Sequence, residues 1–261
     1  MTTAGLWQGG GVQSPLDWWF LLAAGALAGG IGTAGGITSL VAYPALLAVG
    51  LPALSANVTN SVALLGSGLG SALRCGPDVS GHRHTVRSWL PRTVVFSLVG
   101  AVLLVVTPGR VFARVVPFLV ATGSLILLAQ PWIARRQRRR GVALNRHAVV
   151  AAGAGVAVYN GYFGAGSGIL LIALLLFSAE SVLHRANALK NVILFAADIP
   201  PAVIFGVFGT VVWAAVWPLG LGALLGGLLG PLIARRVPAP ALRVFIATCG
   251  FVLAGWLLFH P

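Results

Sequence analysis

The chain has 261 residues, of which 58% are hydrophobic and 8% are charged, and its mean hydropathy is +0.95. Because so little polar surface cannot cover a water-soluble globule of this size, the composition predicts an integral membrane protein. The net charge is +13, but four of the 17 basic residues lie within 74–92 and six within 135–146, between apolar stretches. This distribution is typical of cytoplasmic loops that contact anionic lipids, and it argues against a nucleic-acid partner.

Apolar runs between charged residues define eight blocks, which imply an all-α protein with eight to ten membrane passes. A polar, Gly-rich tail is expected at 1–17, a first membrane repeat at 18–133, a basic cytoplasmic linker at 134–147 and a second membrane repeat at 148–261. The eight blocks, four in each half, are 18–50, 55–73, 93–107, 115–133, 148–177, 187–206, 213–233 and 241–259.

The first block of each half is too long for one ordinary span, and a glycine cluster interrupts it, at 29–36 and at 161–168. In the first half the interruption predicts two arms, 18–31 and 37–50, each of 14 residues. Each arm would be about 21 Å long at ~1.5 Å per residue, against ~30 Å for the hydrocarbon core. Bare peptide groups inside a membrane must face protein or a water-filled cavity. The twinned interruptions therefore predict a cavity, and such pairs mark transport sites.

The two halves share a pattern at nearly constant spacing. Gly32 and Gly36 match Gly164 and Gly168 at an offset of 132, and Asn57 matches Asn187 at an offset of 130. These matches indicate an old duplication. If each interrupted block enters and leaves by one face or crosses the membrane twice, 15 of the 17 basic residues lie on or near the cytoplasmic side and the halves are inverted. Counting each such block as one crossing gives parallel halves and places Arg185, Arg235 and Arg236 outside. The charge distribution therefore favours inversion.

With these motifs the chain resembles the TauE/SafE sulfite-exporter family of membrane permeases, whose halves each open with a Gly-rich break. The resemblance runs from about Trp18 to the C-terminus. It implies a permease for a small sulfur oxyanion, such as sulfite or an organosulfonate like sulfoacetate. The commoner family pattern has Gly-Thr-Ser after the alanine of the second block, whereas this chain has Asn57-Val58-Thr59 and Asn187-Ala188-Leu189.

The residues around the breaks also favour an anion on physical grounds. A helix that restarts after glycines presents free N–H groups and the positive end of its dipole, and glycine lets an oxyanion approach closely. Thr33, Thr38, Ser39 and Ser167 add hydroxyl donors. The alternative is that these small residues only allow close helix packing. The candidate substrate-binding residues are Thr33, Gly35, Gly36, Thr38, Asn57, Asn60, Gly164, Ser167, Gly168, Asn187, Lys190 and Asn191.

Several of these polar side chains leave two interpretations open. The four asparagines either join helices by hydrogen bonds or donate to the substrate. Lys190 either pairs with an anion or extends to the interface. Asp198 is the candidate ion-coupling group, because a central carboxylate costs ~2.5 to 3.5 kcal/mol unless it has a partner or a proton. Its alternative role is to bond backbone groups freed by Pro200 and Pro201.

The sequence therefore predicts a secondary transporter of a small anion in the bacterial plasma membrane, working by alternating access, with proton coupling as a hypothesis. The alternatives are a passive channel or divalent-cation permease and, further off, a membrane-embedded enzyme or an assembly partner. We expect no enzymatic activity and no cofactor, and no metal site, because Cys75, Asp78, His82 and His84 lack a recognised ligand spacing. The pattern GxxxxGK[ST] is absent, which argues against direct use of ATP. Exact substrate, direction of transport and oligomeric state are left open.

Overall fold

The computed structural model describes residues 14–75, 79, 81–139, 145–180, 182–234 and 239–259, and this part of the chain contains helices and no strand. Most of the predicted tail, part of the basic linker and Asp78 lie outside the described residues. The principal helices are α1 (Pro15–Gly35), α2 (Thr38–Ala48), α3 (Ala53–Ala63), α4 (Leu65–Arg74), α5 (Arg83–Val106), α6 (Gly109–Arg139), α7 (Arg146–Tyr162), α8 (Ser167–Ser178), α9 (Leu183–Phe208), α10 (Trp213–Ala234) and α11 (Ala239–Phe259).

Within the described residues, four helical segments are long and apolar enough to cross a membrane: Pro15–Thr33, Arg83–Val106, Gly109–Ala129 and Leu183–Phe208. Thr38–Ala48, Ser167–Ser178, Trp213–Leu229 and Val244–Phe259 are shorter apolar helical segments. Large apolar side chains also cover the outside of the bundle, as Phe208, Phe245 and Val252 illustrate with about 70% of their surface exposed. An outer surface of this kind suits lipid rather than water. The predicted all-α, multi-pass membrane fold is therefore confirmed.

Helix α1 differs from its predicted arm because it continues through most of the first glycine cluster. It begins after Ser14, whose side chain and that of Asp17 form a reciprocal capping box, and it ends at Gly36. Its 21 residues extend about 31 Å rather than the expected 21 Å. Within it, Gly25 and Gly29 lie directly against the backbone of α10. These glycines serve packing, and the chain leaves the helix only at Gly36, where φ is +73°.

The second interruption lies between α7 and α8, at residues 163–166. Gly164 and Gly166 both have φ near +80°, a conformation that L side chains rarely adopt. The helices that restart after the two interruptions, α2 and α8, have only 11 and 12 residues, or about 16 and 18 Å. Each is shorter than the hydrocarbon core, as the sequence predicted for an interrupted span.

The second block of the first half, expected as one segment at 55–73, is divided at Leu64 into α3 and α4. Its counterpart in the second half, α9, continues through Pro200 and Pro201 as one helix of 26 residues. The seryl hydroxyl of Ser67 donates to the Leu64 carbonyl at 3.1 Å, which satisfies one acceptor at the division. The two halves thus differ in their second block, although the first block is interrupted in both.

Helices from opposite halves pack in a matching pattern. The interrupted first segment of each half packs on the third block of the other, α1 on α10 and α7 on α5. The second blocks do the same, α4 on α10 and α9 on α5. Glycine permits the close approach in both cases, since a Cβ on Gly226 would collide with the backbone at Ala26, and one on Gly100 with the backbone at Val158. Ala26 and Val158 are themselves 132 residues apart, the repeat offset.

The matched second blocks, α3–α4 and α9, run in opposite directions. Near the start of α3, Ser55 Oγ lies 2.9 Å from Thr210 Oγ1, just beyond the end of α9. In the first half of α9, Asn191 Nδ2 lies 3.8 Å from Cys75 Sγ, just beyond the end of α4. The two arrangements together require antiparallel helices.

His82 Nε2 lies 2.5 Å from Glu180 Oε2, and this contact joins the segment before α5 to the segment before α9. Burial alone would raise the pKa of the Glu180 carboxyl, but the Val182 N–H, His82 and Arg185 outweigh burial and hold it below its usual value. Each of these two segments borders basic residues, and the contact brings them to one face of the bundle.

The α1–α10 contact leads to a stability prediction. A Cβ at Gly226 would lie 2.7 Å from Gly30 N, so Gly226→Ala should lower stability by about 1–3 kcal/mol, as overpacking does. Thermal unfolding of the purified protein in detergent measures the change. Gly155→Ala is the matched control, because a Cβ there meets nothing within 4 Å. Equal melting temperatures for the two variants would contradict the proposed close packing.

Candidate functional site

The two interruptions meet inside the bundle, where the starts of α2 and α8 touch. A Cβ on Gly36 would lie 2.7 Å from the Gly168 carbonyl carbon, and a Cβ on Gly168 would lie 2.7 Å from Gly36 Cα. Neither position can therefore hold a larger residue without backbone movement. This contact lets the interrupted backbone face protein, as the membrane interior requires.

A cavity of about 80 Å³ lies beside this contact. A smaller one of about 40 Å³ adjoins it and shares Ser39, Leu64, Asn160, Gly164 and Asp198 with it. Since a single water needs roughly 10–15 Å³, the larger cavity has room for several waters or a small ion. Its polar lining consists of Thr33, Thr38, Ser39, Ser67, Ser71, Asn160, Ser167, Lys190, Asn191 and Asp198.

Lys190 supplies the positive charge of this cavity. Its side chain is 3% exposed, and Nζ donates to the Thr33 carbonyl oxygen at 3.1 Å. Thr33 lies in the last turn of α1, where the carbonyl groups form the negative end of the helix dipole. An ammonium group has three donors, so this bond leaves donors for other acceptors in the cavity. Lys190 is thus held inside the protein and does not extend to the interface.

Asp198 belongs to a short hydrogen-bonded chain that crosses the second interruption. Asn160 Nδ2 donates to Asp198 Oδ1 at 2.6 Å. Ser167 Oγ lies 2.6 Å from Asn160 Oδ1 and 2.8 Å from the Gly164 carbonyl oxygen, so its single proton serves two acceptors. Asn160 lies in the last turn of α7 and Ser167 begins α8. The chain therefore connects both arms of the interrupted segment to α9.

The structure brings most of the predicted site residues to this cavity. Those that line it are Thr33, Gly36, Thr38, Gly164, Ser167, Gly168, Lys190, Asn191 and Asp198. Four predicted residues are absent from its lining: Gly35, Asn57, Asn60 and Asn187. Asn57 Nδ2 instead donates to the Tyr162 carbonyl at 3.0 Å and so joins α3 to the end of α7. Within the described residues, Oδ1 of Asn60 and of Asn187 has no hydrogen-bond partner.

Sequence reasoning missed three polar residues of the lining: Asn160, Ser67 and Ser71. Asn160 is an amide in an apolar segment, immediately before the second glycine cluster. The criterion that selected the other four asparagines applies to it equally. Ser67 and Ser71 stand four residues apart among glycines and leucines, a spacing that puts them on one face of α4.

In the described lining of the cavity, both charged groups, Lys190 and Asp198, come from the second half. At the repeat offset of 130, Lys190 corresponds to Asn60 and Asp198 corresponds to Gly68. At the offset of 132, Asn160 corresponds to Ala28. The duplication therefore gives the two halves matching helices, whereas the charged residues of the cavity are not repeated in the first half. In the described part of the chain, no group of three or more His, Cys, Asp or Glu side chains is placed to bind a metal ion.

A polar cavity between interrupted helices of an apolar bundle is the arrangement found in membrane transporters. The chain belongs to the TauE/SafE family, described as sulfite exporter TauE/SafE, whose sequence pattern it matches over residues 21–257. This match confirms the family resemblance that the glycine motifs predicted.

Curated relatives cover almost the whole chain. The chain is 25% identical to "Probable membrane transporter protein YfcA" of Escherichia coli strain K12, over 94% of this chain and 91% of that protein. It is 27% identical to "Probable membrane transporter protein ORF9" of Sinorhizobium sp, over 93% and 92% of the two chains. No solved structure matches it. Family and relatives together identify a membrane transporter, which agrees with the expectation that the chain is not an enzyme.

The bond between Asn160 and Asp198 can be tested by a double-mutant cycle on stability. Asn160→Ala and Asp198→Ala should be non-additive by about 0.5–3 kcal/mol, because each removes the same hydrogen bond. Thermal unfolding of the two single variants and the double variant measures this coupling. Ser124→Ala, which removes a buried hydroxyl bonded to the Val120 carbonyl, should combine additively with Asp198→Ala. Additivity in both pairs would contradict the observed bond.

Proposed function

We propose that the protein carries a small sulfur oxyanion, sulfite or an organosulfonate, across the bacterial plasma membrane by alternating access around the central cavity. The observation that carries the proposal is the buried Lys190 ammonium, held in a cavity whose other polar groups are mainly hydroxyls and amides. Membership of a family described as sulfite exporters supports the substrate class. The bacterial relatives support the location.

The donors around the cavity match the chemistry of an oxyanion, whose oxygens only accept hydrogen bonds. Lys190 contributes a charged donor, and Thr38 contributes a hydroxyl at the first residue of α2. The N-terminal turns of α2 and α8, which both reach the cavity, add the positive end of the helix dipole. A cavity of about 80 Å³ suits an ion as small as sulfite, and larger sulfonates would need the adjoining space as well.

Asp198 would couple transport to protons. Its carboxylate shares the cavity with the anion and lies where the two cavities adjoin, so an ionised Asp198 opposes anion binding. A proton on Asp198 removes that repulsion, and the anion and the proton then bind together. Asn160 holds the carboxyl in place through the 2.6 Å bond. This arrangement links the protonation of one residue to the occupancy of the site.

Inverted halves would provide the alternation. The matched second blocks run antiparallel, and the first block of each half packs on the third block of the other. In inverted repeats, one half can adopt the conformation of the other and so expose the site to the opposite face. The His82–Glu180 pair supports the same orientation because it brings the loops before α5 and α9 together, both of which border basic residues.

The alternative of a divalent-cation permease fits this cavity less well. Its described lining contains one carboxylate, Asp198, and a lysine in the same wall. Hard divalent cations prefer six or more oxygen ligands with several carboxylates, and a nearby ammonium group repels them. A cation remains an outcome that the transport assay below can reveal.

Lys190→Met tests the anion site. Loss of a charged hydrogen-bond donor should weaken sulfite binding about 10- to 100-fold, seen as a higher KM for uptake into proteoliposomes. Arg185→Met is the matched control, because it removes a positive charge from the exposed start of the same helix. Melting temperatures of both variants show that they are folded. Unchanged sulfite uptake by Lys190→Met, or uptake of Mn²⁺ without uptake of any anion by the wild type, would refute the proposal.

Asp198→Asn tests the coupling separately. The variant should lose accumulation of sulfite driven by a pH gradient but keep flux down a sulfite gradient, because its neutral amide imitates a permanently protonated carboxyl. Parallel assays with sulfoacetate and sulfate define the substrate. Glu180→Gln serves as the control, since it neutralises a carboxylate outside the cavity. Accumulation that still responds to pH in Asp198→Asn would exclude Asp198 as the coupling group and leave the anion site unaffected.

A further inference from the structure

A larger cavity, of about 750 Å³, lies between the beginnings of α5 and α7 and the end of α8. None of the residues that line the central cavity lines this one. Its wall includes Arg92 of α5, Arg146 of α7 and Trp89, together with the apolar Val149 and Phe177. It therefore combines positive charge with an apolar surface.

The described residues do not neutralise the charge of this cavity. Arg92 and Arg146 are both exposed, and within the described part of the chain neither makes an ion pair. The described lining includes no carboxylate, and Ser88 and His84 add further polar groups. Two arginines with free donors in one concave site favour an oxyanion, and phosphate suits their planar fork in particular.

The level of the cavity is that of a membrane interface. Arg92 ends the basic stretch 74–92, and the apolar run 93–107 begins at the next residue. Tryptophan is enriched at this level, and Trp89 lies one turn before Thr93 on α5. Val149 and Phe177 extend the wall with apolar surface. An amphiphile with an anionic head and an apolar tail satisfies both parts of the wall, whereas a free anion satisfies only the arginines.

The matching interface in the other half is closed. Gly226 of α10 and Gly100 of α5 make corresponding contacts in the two halves, so α10 corresponds to α5 and α1 to α7. In this correspondence Ala215 occupies the position of Trp89, and Leu21 occupies the position of Gly153. Ala215 and Leu21 are fully buried. In the α5–α7 interface the large residue is instead Trp89, and its ring lies 3.0 Å from where a Cβ of Gly153 would be. The packing of the fold thus does not require this cavity.

We propose that this cavity binds the head group of an anionic phospholipid. The lipid phosphate lies between Arg92 and Arg146, and its acyl chains pass along Val149 and Phe177. Trp89 borders the head group at the interface. This lipid site is independent of the substrate proposed for the central cavity, because the two cavities share no residue.

Native mass spectrometry of the purified protein with added phosphatidylglycerol tests the proposal. One phosphatidylglycerol should bind more tightly than phosphatidylcholine, and Arg92→Gln and Arg146→Gln should each reduce this preference about fivefold. Arg110→Gln is the matched control, because Arg110 is equally exposed but begins α6, away from the cavity. A preference that survives in both cavity variants would overturn the proposal.

A second measurement uses lipid bilayers and separates the lipid from a free anion. Brominated phosphatidylglycerol in phosphatidylcholine liposomes should quench the Trp89 emission, taken as the difference between the wild type and Trp89→Phe, more strongly than brominated phosphatidylcholine does. Excess glycerol phosphate in solution should not relieve this quenching. Relief by glycerol phosphate would show a soluble-anion site, and equal quenching by both lipids would show an unselective surface. Either result refutes the proposal, and Arg92→Lys, which keeps the charge, should retain the selective quenching.

Discussion

The structure depends on one constraint: backbone groups that are freed inside a membrane must find partners within the protein. Helices α1 and α7 both stop inside the bundle, and each end is bonded by a side chain from the other half. Lys190 of α9 donates to the Thr33 carbonyl of α1, and Asn57 of α3 donates to the Tyr162 carbonyl of α7. The second block of each half thus caps the interrupted first block of the other. This exchange holds the two interruptions together and leaves a polar cavity beside them.

These two hydrogen bonds between the halves also explain why matching helices carry different polar groups. An amide suffices to bond the end of α7, whereas the end of α1 is bonded by an ammonium group that also lines the cavity. The charge of Lys190 is tolerated there because the carbonyl end of α1 stabilises it. Asp198, on the same helix, receives its hydrogen bond from Asn160, so the two charges have separate partners. Helix α9 therefore carries both charged groups, and the first half contributes mainly hydroxyls and glycines.

At the outer surface of the bundle the side chains are apolar, because their neighbour there is lipid and not protein. Apolar side chains cover the outside, and close packing between halves relies on glycines such as Gly226 and Gly100. Between the beginnings of α5 and α7, beside Trp89, the packing leaves a cavity lined by two arginines. The repeat determines which helices are neighbours, while local residue size determines whether their interface is closed.

The sequence by itself determined the membrane class, the presence of an interruption in each half and the family, because these depend on composition and on motifs that repeat along the chain. It also identified Lys190 and Asp198, since any charge inside an apolar segment is conspicuous. It did not separate packing glycines from breaking ones: Gly29 lies within α1 against α10, whereas Gly36 alone ends that helix. Nor did it separate Asn57, which bonds a helix end, from Asn160, which lies at the cavity. Only the tertiary structure decided these roles, because they depend on which helix faces each residue, and that neighbour is distant in sequence.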